Sequence, residues 1–153
     1  MSVATSPQRK IKQSLEIFLE QRLSGAGWTR IPVIDEFPEE PRIPPWIAVE
    51  ESLIERYPIE LGNACEGNRY YYDLHMSCEN KGQRSDLLHT LIGDDETTGA
   101  LSKELPVYEI AGTTTGAYLW PCRMEIDRVD RMTLSAHPQD KFRALVTLAV
   151  QRR

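Results

Sequence analysis

Between residues 69 and 79 polar and apolar side chains alternate without a break. Tyr70, Tyr72, Leu74, Met76 and Cys78 share one face; Tyr71, Asp73, His75, Ser77 and Glu79 share the other. A period of two is that of a strand laying one face on a core. The period returns near the end of the chain, where Phe142, Ala144, Val146, Leu148 and Val150 alternate with Arg143, Leu145, Thr147, Ala149 and Gln151. The second of these faces is half apolar, which predicts a central strand. Shorter strands are expected within 28–34, at Trp46-Ile47-Ala48-Val49, from Ile59 to Leu61 and from Pro106 to Ile110. Residues 50–57 read equally as helical turn or loop. Met124 to Leu134 is extended by its β-branched content, with charge on both faces.

Two stretches follow the helical period instead. Ile11, Leu15, Phe18, Leu19 and Leu23 form one stripe, opened by Ser6-Pro7 as N-cap and first-turn proline and stopped by Gly25 and Gly27. Asn80 caps a second helix, with Gln83 three residues on to complete a capping box; Leu87, Leu88, Leu91 and Ile92 are its buried stripe and Gly93 its end. Turns fall at Gly62-Asn63, at Gly112 to Gly116 and around Pro138. Strands running around two helices give an α+β fold, a mostly antiparallel sheet with both helices on one face. The chain is expected to be one domain, 1–153, with residues 1–6 a loose arm.

Composition changes this picture little. With 41% hydrophobic residues in 153, the chain can bury a core without metal or disulfides. Eighteen basic against 23 acidic residues, a net charge of −5, argue against binding nucleic acid through phosphate neutralisation. No apolar run approaches a membrane span, and the polar N-terminus lacks a signal-peptide pattern. Cys65, Cys78 and Cys122 form no CxxC pair, so free thiols in a reducing cytoplasm are expected.

Candidate chemistry is thin. His75 and Cys78 stand three apart on a strand, hence on opposite faces. His89 has only Ser85 and Asp86 at helical spacing, and His137 has no partner. The acids Asp94, Asp95 and Glu96 lack the calcium-loop pattern, and Asp35, Glu36, Glu39 and Glu40 read as a solvated loop. Gly112 to Gly116 has neither the lysine of a P-loop nor dinucleotide-fold spacing, and no nucleophile elbow is present. No catalytic, cofactor or metal site is expected. Loops 35–45 and 94–104 are expected to touch little of their own chain and to order against a partner.

Two stretches carry a resemblance. RYYYDLHMSCENKGQRSDLLHTLI, from Arg69 to Ile92, is a tyrosine-rich strand followed by a Gly-Gln-Arg-x-Asp-Leu helix start. DKFRALVTLAV, from Asp140 to Val150, is a terminal strand opening Asp-Lys-aromatic-Arg. With Pro106-Val107-Tyr108, Arg128-Val129-Asp130, Ile59-Glu60-Leu61-Gly62 and the N-terminal helix, they resemble the neck and tail-terminator (head–tail joining) proteins of tailed bacteriophages over about two-thirds of the chain. The proline-rich stretch 37–58 has no counterpart.

The resemblance implies a structural virion protein with no enzymatic activity and no cofactor, assembled in the host cytoplasm. It would form a ring, a homohexamer, ending the tail tube and joining it to the head connector. Partners would be further copies, connector or adaptor proteins, and tube and sheath proteins. Alternatives are an adaptor ring directly under the portal, or a small cytoplasmic enzyme or ligand-binding domain. A domain this long is equivalent to a sphere about 38 Å across. Six touching in a ring leave a hole of about that width, room for a duplex of roughly 20 Å. An acidic channel would let DNA pass without sticking. Interface candidates are Tyr71, on the face away from the helices, and Arg123, Glu125, Asp127, Arg128, Asp130 and Arg131, whose alternating signs suit salt links between neighbours.

Overall fold

The structure, a computed structural model, describes residues 6–28, 31–40, 42–58, 66–93, 99–102, 104–111, 114–134 and 141–152. The expected strand at Ile59 to Leu61, the turns at Gly62-Asn63 and Pro138, the acids 94–96, Cys65 and His137 lie outside them.

Helix α1 spans Pro7–Gly25. Ser6 Oγ accepts from the Arg9 amide at 3.2 Å, as the cap requires. Gly25 is still helical; the stop is Gly27, at φ 94°. There the Trp28 amide donates to the Leu23 carbonyl at 2.8 Å and the Gly27 amide to that of Ser24 at 3.1 Å. A glycine takes this left-handed turn without a Cβ clash. Helix α2 spans Lys81–Ile92. Asn80 Oδ1 accepts from the Gln83 amide at 2.7 Å. In return Gln83 Oε1 accepts from the Glu79 amide at 2.7 Å, one residue before the expected cap amide.

Six strands make one sheet: β1 (Val33–Ile34), β2 (Trp46–Pro58), β3 (Glu66–Cys78), β4 (Leu105–Ala111), β5 (Thr114–Thr133) and β6 (Phe142–Arg152), in the order β1-β2-β3-β6-β5-β4. Among the described strands only β1 with β2 is parallel, and the other pairs are antiparallel. The fold is thus α+β. β6 lies in the middle of the sheet, as its half-apolar second face requires. Leu74 pairs with Val49 on one side and Val146 on the other, so a continuous apolar face forms from three strands. Tyr70, Tyr72, Leu74, Met76, Val146 and Leu148 are buried there, joined in one core cluster with Ile11, Leu15 and Leu19 of α1 and Leu87, Leu88 and Leu91 of α2; Phe142 packs at its margin.

Polar side chains fix the helices across this face. The Tyr72 hydroxyl donates to the Gln8 carbonyl at 2.6 Å. Ser14 Oγ accepts from the Tyr108 amide of β4 at 3.1 Å. Trp28 Nε1 at the end of α1 donates to Thr90 Oγ1 of α2 at 3.0 Å. Arg84 of α2, buried, donates from Nη1 to the Met132 carbonyl at 2.8 Å and lies over the Phe142 ring at 5.9 Å.

The sequence misjudges several segments. Residues 50–57 are strand: β2 runs on through a register shift between Glu51 and Ile54 because β3 offers an equally long partner. The extra residue breaks the alternation on which a strand is recognised. The expected strand within 28–34 shrinks to Val33 and Ile34, since only these reach β2. The described residues of neither loop are loosely attached. Residues 99–102 include a 3-10 turn, Ala100–Ser102, that sets Leu101 wholly in the core. Gly99 presses so close to α2 that a Cβ would stand 2.2 Å from the Ile92 carbonyl. In loop 35–45, Asp35 binds α1 and Phe37 packs on the sheet.

Leu74 is 0% exposed at the centre of the apolar face. Leu74→Ala is expected to cost about 2–5 kcal/mol, read from urea unfolding midpoints. A cost under about 1 kcal/mol would contradict this register.

Candidate functional site

Three constellations of polar side chains stand out, and the first begins on α1. Lys12 lies next to the apolar stripe and is carried into the interior, 8% exposed. Its ammonium binds Glu16 at 2.9 Å, one helical turn on, and a carboxylate oxygen of Asp35 in the loop after β1. Burial opposes the charge on Lys12, but the hydrogen bonds it donates to Asp35 and Glu16, with their negative charge, outweigh it and its pKa is raised. Asp35 moves the other way: the bond from Lys12 lowers its pKa despite partial burial. Glu16 behaves unlike a simple ion-pair partner. Burial pushes it up to about 7, and the Lys12 ammonium only partly offsets this. Beside the triad is an open groove of about 340 Å³ whose other wall holds Glu36, Glu50 and Glu51.

The second constellation covers the start of β2 and the end of β3 on the face away from the helices. Trp46 points outward by strand parity yet is 1% exposed. Phe37 closes over it, ring centroids 5.5 Å apart, and over His75 at 5.2 Å, both edge to face. The Arg143 guanidinium of β6 lies 4.7 Å from the Phe37 centroid and 5.7 Å from that of Trp46. Glu50 holds the loop by accepting from the Phe37 amide at 2.7 Å, and its other oxygen is 3.9 Å from His75 Nε2. Burial lowers the His75 pKa against the pull of Glu50 and Asp73, which leaves a neutral imidazole near pH 7.

The third is the charged half of β5. The expectation was charge on both faces; in the strand most of it lies on the outer face, and Arg131 alone of the paired charges keeps the helix side. Ile126 pairs with Leu148 and Arg128 with Thr147, so Asp127 is an extra residue in a bulge. The bulge resets the parity. Arg123, Glu125, Arg128 and Asp130 now share the face away from the helices, while Met124, Ile126 and Val129 turn to the core. Within the strand Arg123 binds Glu125 at 3.0 Å and Arg128 binds Asp130 at 2.8 Å. Arg131, opposite inward-facing Ala144, is exposed near the end of the strand. Tyr71 is half-buried on the outer face and donates to Glu55 of β2 at 3.3 Å. The structure thus gathers four of the seven interface candidates into one stripe. Tyr71 lies two strands away, Asp127 in the bulge and Arg131 on the opposite side.

No nucleophile is activated among these groups. Cys78 and Cys122 are buried free thiols pushed up to about 11 by burial. Cys78 faces the core and His75 the other side, as the strand period predicts. Among the described residues no three His, Cys, Asp or Glu side chains gather as metal ligands. Sequence reading missed the roles of Lys12, Glu16, Asp35, Phe37 and Arg143. Lys12 and Glu16 at i, i+4 were visible; their link to a loop 23 residues away was not. No protein-family model matches the chain, and no curated protein matches its sequence.

The triad sets a pH dependence. Glu16's pKa lies above its ordinary value of 4.5, so its stabilising contribution is complete below that value and is lost as pH rises through about 7. Asp35's is lowered, so its contribution holds above its ordinary 3.8 and fails on further acidification. Glu16→Gln is expected to flatten the fall in stability between about pH 5 and pH 8, raising stability at the upper end by up to about 3 kcal/mol. Urea unfolding at the two pH values measures it, and an unchanged slope counts against the buried carboxyl.

Proposed function

We propose that this chain is a structural component of a tailed-bacteriophage neck. It would be a ring of copies, six in number, that terminates the tail tube and joins it to the head connector with DNA passing through the centre. The observation that carries the reading is the one-sided covering of the sheet. Both helices lie on one face, and the described residues put only the Phe37 loop over one corner of the other. That outer face carries half-buried Tyr71, Leu145 and Thr147, bordered by Arg123, Glu125, Arg128 and Asp130. Mixed apolar and paired-charge surface of this kind suits contact with protein. The likeness of Arg69 to Ile92 and of Asp140 to Val150 to neck proteins supplies the setting.

The purified chain is expected to associate into a closed oligomer at high concentration and low salt, with six copies by native mass measurement. Antibody labelling should place it at the head–tail junction of virions. A chain that stays monomeric under these conditions, or a label elsewhere on the particle, overturns the reading.

A further inference from the structure

The sheet ends in two open strand edges that match one another. On one side β1 pairs with β2 only at Ile47 and Ala48. From Glu50 onward no described strand lies on that side of β2, and residues 51–55 are all exposed, Leu53 at 55% and Ile54 at 47%. On the other side β4 reaches no further than Cys122, which leaves β5 unpaired on that flank from Arg123 to Thr133 among the described residues. Rows of unpaired N–H and C=O groups are templates for another strand. Here each row also carries charge and a bulge, which turns away unselective partners and leaves those of matching charge and step.

Resting on the ring reading above, we infer that neighbouring copies join edge to edge, β2 of one against β5 of the next, with Glu51 opposite Arg131, Ile54 opposite Val129 and Glu55 opposite Arg128. Four features converge on this register. First, direction: β2, β3, β6 and β5 alternate, so β2 and β5 run oppositely, and repeating the sheet sideways makes the new pair antiparallel.

Second, spacing. On β2 the partners of Glu51, Ile54 and Glu55 are Tyr72, Tyr70 and Arg69; on β5 those of Arg131, Val129 and Arg128 are Ala144, Val146 and Thr147. Both series step by two and then by one, since the bulge in β2 falls inside its segment and the bulge in β5 just outside. Third, facing. Glu51 and Ile54 share the helix side with Arg131 and Val129, while Glu55 and Arg128 share the outer side. Each predicted pair therefore meets on one face, charge to opposite charge and apolar to apolar. Fourth, free capacity. Glu51 and Glu55 are exposed acids on the β2 edge, and Tyr71 already orients Glu55. Arg128 uses Nε on Asp130 and is 71% exposed, and a guanidinium has further donors for a second carboxylate.

Within one copy Glu51 is level with Ile126, through Tyr72 and Leu148, whereas Arg131 is level with Ala144. Each junction is thus staggered by the four residues that separate Leu148 from Ala144 on β6. Closed rings of strands accommodate such a stagger by tilting the strands against the ring axis. The contact is heterologous, the kind that closes into a ring when its rotation divides the circle.

The test uses the full-length chain. Glu51→Arg with Glu55→Arg, and separately Arg128→Glu with Arg131→Glu, are each expected to raise the dissociation constant of assembly by about ten-fold or more. Mixed in equal amounts they should reassemble, since each reversed edge then meets its opposite. In a Cys65→Ser background, Ile54→Cys with Val129→Cys should give a ladder of oxidised oligomers that neither single variant gives. If wild type assembles but the reversals have no effect, or the mixture fails to recover and the cysteines fail to link, the register is wrong while the ring stands. If wild type never assembles, both fall.

Discussion

An apolar face made by Tyr72, Leu74, Met76, Val146 and Leu148 has to be kept from water, and two helices are what the chain has to cover it. Most of a helix's stability within a protein comes from packing its amphipathic face, not from propensity. Each therefore owes its place to the sheet, and the apolar stripe by itself would let a helix slide along it. The bonds from Tyr72 to Gln8, from Tyr108 to Ser14 and from Trp28 to Thr90 remove that freedom. Every one joins a group at the helix–sheet or helix–helix boundary that would otherwise be buried without a partner. Arg84 does the same for α2 over the far ends of β5 and β6, where its alkyl stem packs and its guanidinium finds a carbonyl.

The ionisable groups follow the same logic. Lys12 ties α1 to the loop after β1, and Phe37 with Arg143 seals Trp46 on the far side of the sheet. These groups hold segments distant in sequence against one another, and the loop 35–45 becomes part of the fold. Glu16 bears the cost of that arrangement, since the burial that strengthens the Lys12 contact also penalises its own charge.

Bulges decide what those edges offer. Were Asp127 a rung of a regular ladder instead of bulged out of it, Arg128 and Asp130 would point to the core side and Val129 to the outer face. With the bulge, Arg123, Glu125, Arg128 and Asp130 line the outer face, while Val129 and Arg131 keep the helix side. A displacement of one residue in a strand thus resets which side chains each face presents.

The amino-acid pattern alone determined the two helices with their caps, the strands β3 and β6 with their inward faces, the central place of β6 and the separation of His75 from Cys78. All rest on local periods and capping chemistry that neighbours reinforce. Only the tertiary structure decided the length of β2, the parity of β5, the burial of Leu101 and the partners of Lys12 and Trp46. The first two turn on bulges, which break the very alternation a strand is recognised by. The others turn on loops whose polar composition hides one residue, Asp35, Phe37 or Leu101, that a distant element holds in place. An extra residue in a ladder has an energy only once the opposite strand is there, and a lysine is a core residue only once a carboxylate from elsewhere has come to meet it.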